Sequence, residues 1–207
     1  MEAIVEARRE YMNMLQECMI PEMTNTYIEM YNDTDEMLIG ERGRIHKFRE
    51  ACSRIQDWGD NTIDDHVDRI KEDCPWFERL IEASVISLVQ ILKSVKINKN
   101  ASRLAVTIPT AAEFVRKCYK TSQAYICKSP DFIVDEDRRE EVLFNKITKS
   151  IDTVVRSYVP LHNIMTLNLT AQDDEPEPEQ EPEQEPESRT IGTEEDEDDV
   201  LMKDATE

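Results

Sequence analysis

Residues 77–95 read FERLIEASVISLVQILKSV and carry the strongest structural signal in the chain. Apolar side chains recur there at steps of three and four and cover almost the whole circumference of a helix. The seam consists of Phe77, Ile81, Leu88, Ile91 and Val95, widened by Val85, Ile86, Val89 and Leu92. Glu82, Gln90 and Lys93 interrupt the run, which makes it too polar to span a membrane. We therefore predict a buried helix at the centre of the fold.

Helical periodicity continues on the N-terminal side. The first segment places one apolar stripe on a helix, made of Ile4, Ala7, Tyr11, Leu15 and Cys18. Pro21 is expected to kink or end this helix, because proline has no N–H to donate. A second helix is predicted over roughly residues 34–56. Gly40 and Gly43 weaken its first half, since each costs about 1 kcal/mol relative to Ala.

Prolines mark the start of the helices that follow. A short third helix carries Ile63, Val67 and Ile70. Pro75 suits the first turn of the fourth helix and Pro109 the first turn of the fifth, because the missing N–H is no loss there. The fifth helix is expected to turn inward Phe114, Val115, Cys118, Ser122, Tyr125 and Ile126.

A sixth helix completes the pattern. It is predicted to begin at the acids of residues 135–137, which favour a helix N-terminus, and to end at Pro160. Its expected inward residues are Phe144, Ile147, Ile151, Val154 and Tyr158. No two-residue alternation typical of strands occurs. The sequence therefore predicts an all-α protein, a single bundle of about six helices over residues 1–170.

Residues 171–207 differ sharply in composition from the rest. They hold 17 acidic and 2 basic residues, a net charge of −15, which leaves −5 of the total −20 for residues 1–170. Glu and Pro alternate from Glu175 to Pro182, and few apolar side chains are present to offset the entropy of ordering. We predict a disordered, acidic, Glu/Pro-rich C-terminal tail.

The acidity of the chain bears on its partners. A net charge of −20 makes direct nucleic-acid binding unlikely and disfavours anionic membranes, because both need Lys and Arg to neutralise phosphate. The basic strip within residues 42–54 is therefore interpreted as a mixed-charge solvent face. Two interpretations of the tail stay open: it provides solubility and spacing, or it captures basic proteins by electrostatic steering.

Candidate partner-binding residues fall in three places. Trp58 and Trp76 flank helix ends, where they either cover the core or form a protein-binding hot spot. A polar connection after the fourth helix carries Lys96, Lys99 and Arg103. The tail carries Glu194, Glu195 and Asp196 beside an acid-directed kinase pattern, and Val200, Leu201 and Met202 as a short binding motif.

Patterns typical of catalysis or cofactor binding are missing from the sequence. The nearest cysteines, Cys118 and Cys127, are too far apart for a zinc motif, and the five cysteines are interpreted as reduced thiols. The acidic run around His66, residues 64–68, is interpreted as a solvated face. We predict no enzyme activity, no metal and no cofactor, and an interior poor in converging polar groups.

Several local patterns resemble an uncharacterised helical family of large nucleocytoplasmic DNA viruses, the giant-virus type. The matching patterns are Ala7-Arg8-Arg9-Glu10-Tyr11, Trp58, Cys74-Pro75-Trp76, Ile108-Pro109, Phe114, Lys117-Cys118-Tyr119, Ser129-Pro130-Asp131-Phe132, Val159-Pro160 and Asn163-Ile164. The resemblance covers roughly residues 5–165 and transfers no functional residue. It implies a viral protein made in the host cytoplasm, at the viral factory, with the virion as a further location.

These observations lead to two hypotheses on function. The first is a non-enzymatic viral interaction or structural protein, such as a virion-associated or minor capsid-type adaptor, whose bundle binds other viral structural proteins. The alternative is a chaperone whose acidic tail binds basic proteins of the histone-like or nucleic-acid-packaging type. The sequence predicts no membrane association and does not determine the oligomeric state.

Overall fold

A computed structural model describes residues 2–34, 36–94 and 106–159, and within them the predicted all-α fold is confirmed. The described residues form six α-helices and no strand. The helices are α1 (Glu2–Asn32), α2 (Glu36–Ser53), α3 (Asp60–Asp73), α4 (Phe77–Ser94), α5 (Ala111–Cys127) and α6 (Glu136–Ser157). Two short 3₁₀ turns, Arg54–Asp57 and Pro130–Val134, follow α2 and α5.

All described residues belong to one compact unit, Met1–Asp174. A second unit, Glu175–Glu207, lies outside the described residues, as does the whole predicted tail from residue 171. The boundary predicted at residue 170 therefore stays a prediction.

Pro21 was expected to kink or end helix α1. The helix does not end there but continues through Pro21 to Asn32. Its 31 residues correspond to about 46 Å of helix, and along this length it packs against α2, α3, α4 and α6. The predicted stripe is wrong in its first half, since Tyr11 is exposed and Ile4 and Ala7 are only half-buried. The buried face is instead Met12, Leu15, Met19, Ile20, Met23, Thr26, Tyr27 and Tyr31. Flexible methionines supply much of this core, and they are well suited to filling irregular space.

Helix α2 breaks where the sequence predicted weakness. Gly40 has φ +63°, a left-handed conformation that residues with a Cβ rarely adopt. The helix resumes beyond it and buries Phe48 and Cys52 against the core. A glycine is therefore required at position 40 by backbone conformation.

Helix α4 packs against α1, α5 and α6 and buries Phe77, Ile81 and Val85 completely. The prediction that it is buried is correct, but α1 and α5 have more neighbours. Each of these two packs against four other helices, α1 on α2, α3, α4 and α6, and α5 on α2, α3, α4 and α6. The organising pair of the bundle is thus α1 and α5.

Helices α5 and α6 pack against each other and differ from the prediction at several side chains. Thr110 starts α5 with a capping box, because its hydroxyl accepts from the Glu113 N–H and the Glu113 carboxylate accepts from the Thr110 N–H. Tyr119 is fully buried, whereas Tyr125, predicted inward, is half-buried. On α6 Leu143 takes the core position predicted for Phe144, which is 50% exposed.

A disulfide joins Cys18 on α1 to Cys74 in the turn before α4, with their Cα atoms 6.0 Å apart. The prediction that all five cysteines are reduced thiols is wrong for this pair. The two residues are separated by 56 positions in sequence, so no local spacing could reveal that the fold brings them together.

Candidate functional site

A cluster of polar side chains lies inside the bundle, where α1, α3 and α5 meet. This interior cluster consists of Glu22, Thr26, His66 and Tyr119, with the exposed Arg69 at its solvent edge. His66 is 5% exposed, and its Nδ1 atom lies 2.7 Å from Glu22 Oε1 and 2.8 Å from Arg69 Nη2. Arg69 Nε donates to the same Glu22 oxygen at 2.7 Å. Glu22, His66 and Arg69 therefore form a closed triangle that links α1 to α3.

Tyr119 extends the interior cluster to α5. Its hydroxyl lies 3.2 Å from His66 Nδ1 and 3.1 Å from the Thr26 hydroxyl, which in turn donates to the Glu22 carbonyl at 2.8 Å. Next to it, the Tyr27 and Ser122 hydroxyls are 2.7 Å apart. Two pairs of hydrogen-bonded side chains thus connect α1 and α5, and they satisfy polar groups that would be costly to bury alone.

Trp58 covers this cluster from the loop before α3. Its ring is stacked on His66, with centroids 5.0 Å apart and an interplanar angle of 24°, and meets Tyr119 edge-on at 5.0 Å. Arg116 fixes the loop, because its guanidinium donates to the Trp58 carbonyl at 2.7 Å and to the Asp60 carboxylate at 2.6 Å. The His66 ring is therefore held between aromatic faces.

Burial controls the protonation of this cluster. Desolvation lowers the pKa of His66 more than hydrogen bonding to Glu22 raises it, and the Arg69 charge lowers it further. Desolvation also raises the pKa of Tyr119, so its phenol keeps its proton at neutral pH. His66 Nδ1 either accepts from Arg69 or donates to Glu22, and the tautomer selects which.

A histidine, a carboxylate and a tyrosine together are groups that enzymes use for proton transfer. In this structure Glu22, Arg69 and Tyr119 all lie within hydrogen-bonding distance of His66 Nδ1, and Trp58 stacks on the imidazole. The arrangement links α1, α3 and α5, and we call it the interior clamp.

The interior cluster corrects two predictions. His66 was expected on a solvated face, but only its neighbours Asp64, Asp65 and Asp68 are exposed. The prediction that the interior lacks converging polar groups is also wrong at this point. One sequence signal was available: His66 stands three residues after Ile63 and four before Ile70, on the apolar face of α3.

A groove at the protein surface lies along another face of α1. We call it the Phe144 groove. One part has a volume of 470 Å³ and is lined by Asn13, Gln16, Glu17, Ile20, Pro21 and Phe144. An adjoining part of 260 Å³ is lined by Ile20, Pro21, Thr24, Asn25, Ile28, Glu140 and Phe144. Ile20, Pro21 and Phe144 belong to both parts, so they form one continuous floor between α1 and α6.

Pro21 makes the α1 backbone irregular beside this groove. Because it has no N–H, it cannot donate to the Glu17 carbonyl one turn earlier, and that helical carbonyl lacks its usual donor. The residue is itself exposed. The sequence indicated the irregularity of α1 at Pro21 but not the exposed Phe144 beside it.

Of the residues predicted to bind partners, only Trp58 and Trp76 lie within the described part of the chain. Trp58 is half-buried in the loop described above, and Trp76 is 51% exposed beside the fully buried Phe77. The interpretation of Trp76 as a cover for the core is therefore wrong, because the turn at Pro75 directs Phe77 inward instead. The other candidates, Lys96, Lys99, Arg103, Glu194, Glu195, Asp196, Val200, Leu201 and Met202, lie outside the described residues.

The basic strip of α2 is partly neutralised by its own helix. Lys47 and Arg54 both contact the Glu50 carboxylate, at 3.4 and 2.8 Å, and together they lower the pKa of Glu50. The Arg44 guanidinium lies 4.2 Å from the centre of the Tyr31 ring. These contacts agree with a mixed-charge surface.

No group of three or more His, Cys, Asp or Glu side chains among the described residues is placed to hold a metal ion. None of the described helices is both long and apolar enough to cross a membrane.

Comparison with known proteins gives a family but no activity. Residues 1–134 match the model of a family of unknown function, DUF5764. No curated protein and no solved structure matches the chain. The matched stretch includes α1 to α5, and with them the whole interior cluster. The viral resemblance is not tested by this match and stays a prediction. Since the matched residues make up more than half of its length, the chain belongs to the DUF5764 family.

Proposed function

We propose that this protein is a non-enzymatic interaction scaffold that binds an amphipathic helix of a partner protein in the Phe144 groove. The observation that supports the proposal is Phe144 itself, a large aromatic side chain that is 50% exposed on an apolar floor shared with Ile20 and Pro21. Contiguous exposed apolar surface marks interaction sites, and a few large side chains near its centre carry most of the binding energy.

The length of the groove suits a helix. Its lining on α1 extends from Asn13 to Ile28, which corresponds to about 22 Å along the axis at 1.5 Å per residue. A partner helix of about four turns has that length and presents apolar anchors at positions i, i+3 or i+4 and i+7. The break in hydrogen bonding at Pro21 leaves the Glu17 carbonyl as one more acceptor beside the apolar floor of Ile20, Pro21 and Phe144.

Charge defines the partner further. Glu17 lies in one part of the groove and Glu140 in the other, and both residues are exposed. Carboxylates on the rim favour a partner whose apolar face is flanked by Lys or Arg. The occupant is therefore a basic amphipathic helix. If the viral resemblance holds, such a helix belongs to a capsid or other viral structural protein made in the same cell.

Photo-crosslinking tests this proposal directly. A benzophenone amino acid is introduced at Phe144 in one variant and at Trp76 in another, an equally exposed aromatic position outside the groove. We expect the Phe144 variant to cross-link a defined protein through a basic amphipathic segment. The Trp76 variant is expected to give no such product. Cross-linking of the same segment from both positions, or only from Trp76, would contradict the assignment.

A second function, an acidic chaperone for basic proteins, is supported by the charge of residues 171–207, 17 acidic against 2 basic. It predicts salt-sensitive binding of a histone-like protein that is largely lost on truncation at Thr170. Equal affinity with and without the tail would exclude it. Because the truncation leaves the Phe144 groove intact, the two functions are separable.

A further inference from the structure

A cavity of 580 Å³ lies where the C-terminal end of α1 meets α2 and the start of α6. We call it the Arg139 cavity. Apart from Val134, its described lining carries polar groups, from Tyr31, Asn32, Thr34, Arg44, Glu136 and Arg139. None of these residues lines the Phe144 groove, so the cavity is a separate site.

Arg139 contributes a positive charge that is poorly paired for its degree of burial. Its side chain is 17% exposed, and its Nε atom is buried without a hydrogen-bond partner in the described part of the chain. Its ion pair with Glu136 spans 3.8 Å, too long for a hydrogen bond, and Glu136 is 83% exposed, so solvent screens the attraction. A charge that has left water normally has close hydrogen-bonded partners, because burying it unpaired is costly. Arg139 is therefore suited to an anion that enters the cavity.

Arg44 brings a second guanidinium to the cavity from α2. Its Nε donates to the Thr34 hydroxyl at 3.2 Å, and its guanidinium carbon lies 4.2 Å from the centre of the Tyr31 ring. Thr34 is itself fixed, because its hydroxyl donates to the Tyr31 carbonyl at 2.6 Å. Arg44 is thus positioned by contacts within the protein, which reduces the entropy that a ligand has to offset on binding.

The N-terminal end of α6 adds to the positive potential, since Glu136 and Arg139 of its first turns line the cavity. The N-cap residue Asp135 makes no side-chain capping hydrogen bond. The positive end of the helix dipole therefore acts in the same direction as the two guanidiniums. The carboxylates of residues 135–137 oppose it, but all three residues are exposed, where solvent and salt weaken their repulsion.

We propose that the Arg139 cavity binds a small phosphate monoester, whose phosphate group is held by Arg44 and Arg139. Guanidinium groups match phosphate oxygens in pairs, and two of them beside a helix N-terminus supply enough positive charge for a dianion. Sites for small molecules have volumes of about 300–1,000 Å³, so the cavity holds more than the phosphate group alone. The amide of Asn32 and the hydroxyl of Thr34 favour a polar remainder. This site goes beyond the proposed partner binding and does not depend on it.

Calorimetric titration of the full chain with glycerol 3-phosphate at constant ionic strength tests the proposal. We expect binding in the unsubstituted protein and an affinity that is lower by about tenfold or more in Arg139→Gln and in Arg44→Gln. The matched controls are Arg138→Gln and Arg49→Gln, exposed positions on the same two helices, which should bind like the parent. Arg139→Lys keeps the charge but loses the paired donors, and it is expected to bind with intermediate affinity. Each variant is checked for native helix content by circular dichroism.

The unsubstituted protein alone suffices to refute the proposal. Inorganic phosphate should bind more weakly than glycerol 3-phosphate, and acetate and glycerol more weakly still. The absence of binding by both phosphate compounds, or acetate binding as tightly as they do, would overturn the phosphate site. Tighter binding of a phosphoserine peptide than of glycerol 3-phosphate would refute the small-molecule assignment. Losses in Arg138→Gln and Arg49→Gln equal to those in Arg139→Gln and Arg44→Gln would show general charge attraction and contradict the cavity.

Discussion

Substituting Glu22 by Gln tests the interior clamp most sharply, because it removes one charge while keeping the side-chain volume. The Glu22 carboxylate is 16% exposed and contacts His66 Nδ1 and Arg69 Nε, both at 2.7 Å. A hydrogen bond to a charged group contributes about 1.5–3 kcal/mol. Arg69 is 52% exposed, so solvent screens its share, and we expect a total loss of about 1–3 kcal/mol.

The matched control is Glu17→Gln, on the same helix five residues earlier and exposed. Surface substitutions of this kind change stability by less than about 0.5 kcal/mol. Urea unfolding followed by circular dichroism gives the free energy of unfolding for both variants and the parent. If Glu22→Gln is no more destabilising than Glu17→Gln, the triangle of Glu22, His66 and Arg69 does not hold α1 to α3.

Three further predictions follow from single side chains. Since burial lowers the pKa of His66 in the folded state, the unfolded chain binds its proton first as the pH falls. The contribution of His66 to stability is therefore present above about pH 6.5 and is lost as the pH falls towards its lowered pKa in the folded state. His66→Gln should remove part of the decline in the free energy of unfolding between pH 7.5 and 5.5. Substitution of the exposed His46 should leave that decline unchanged. Thr110→Ala removes the capping box of α5 and is expected to cost about 1 kcal/mol in urea unfolding, and no loss would mean that the cap contributes nothing. Cys127 at the end of α5 is partly exposed and Cys118 is fully buried, so alkylation by iodoacetamide should be much faster at Cys127, and equal rates would contradict this difference in exposure.

The sequence predicted helices well because their signals are local. The periodicity of α3, with Ile63, Val67 and Ile70 buried, is visible within a few turns. Pro75 and Pro109 mark the starts of α4 and α5, but each stands two residues before its helix and not in the first turn as predicted. The break at Gly40 was also indicated, since glycine is unfavourable inside a helix.

Which residues of a helix face the core was harder to predict where two adjacent residues were both apolar. Leu143 and Phe144 each fit the stripe of α6, and the packing of α6 in the bundle determines that Leu143 is the buried one. The same ambiguity misplaced Tyr11, because the methionines of α1 form the core face instead.

The interior cluster and the Cys18–Cys74 disulfide could not be predicted, since their members are distant in sequence. Glu22 and His66 are 44 positions apart, and His66 and Tyr119 are 53 apart. A polar residue on an apolar stripe, such as His66, indicates burial, but its partners depend on how α1, α3 and α5 come together. Only the tertiary structure supplies that information.

The central claim concerns the Phe144 groove, and one binding measurement tests it. The partner segment identified by cross-linking is synthesised as a labelled peptide, and its dissociation constant is measured for the parent protein, Phe144→Ala and Trp76→Ala. Covering the exposed half of a phenylalanine contributes about 1–2 kcal/mol, so Phe144→Ala should weaken binding about 5- to 30-fold. Trp76→Ala should leave the affinity unchanged. Unchanged affinity in Phe144→Ala, or a larger loss in Trp76→Ala, would contradict the account.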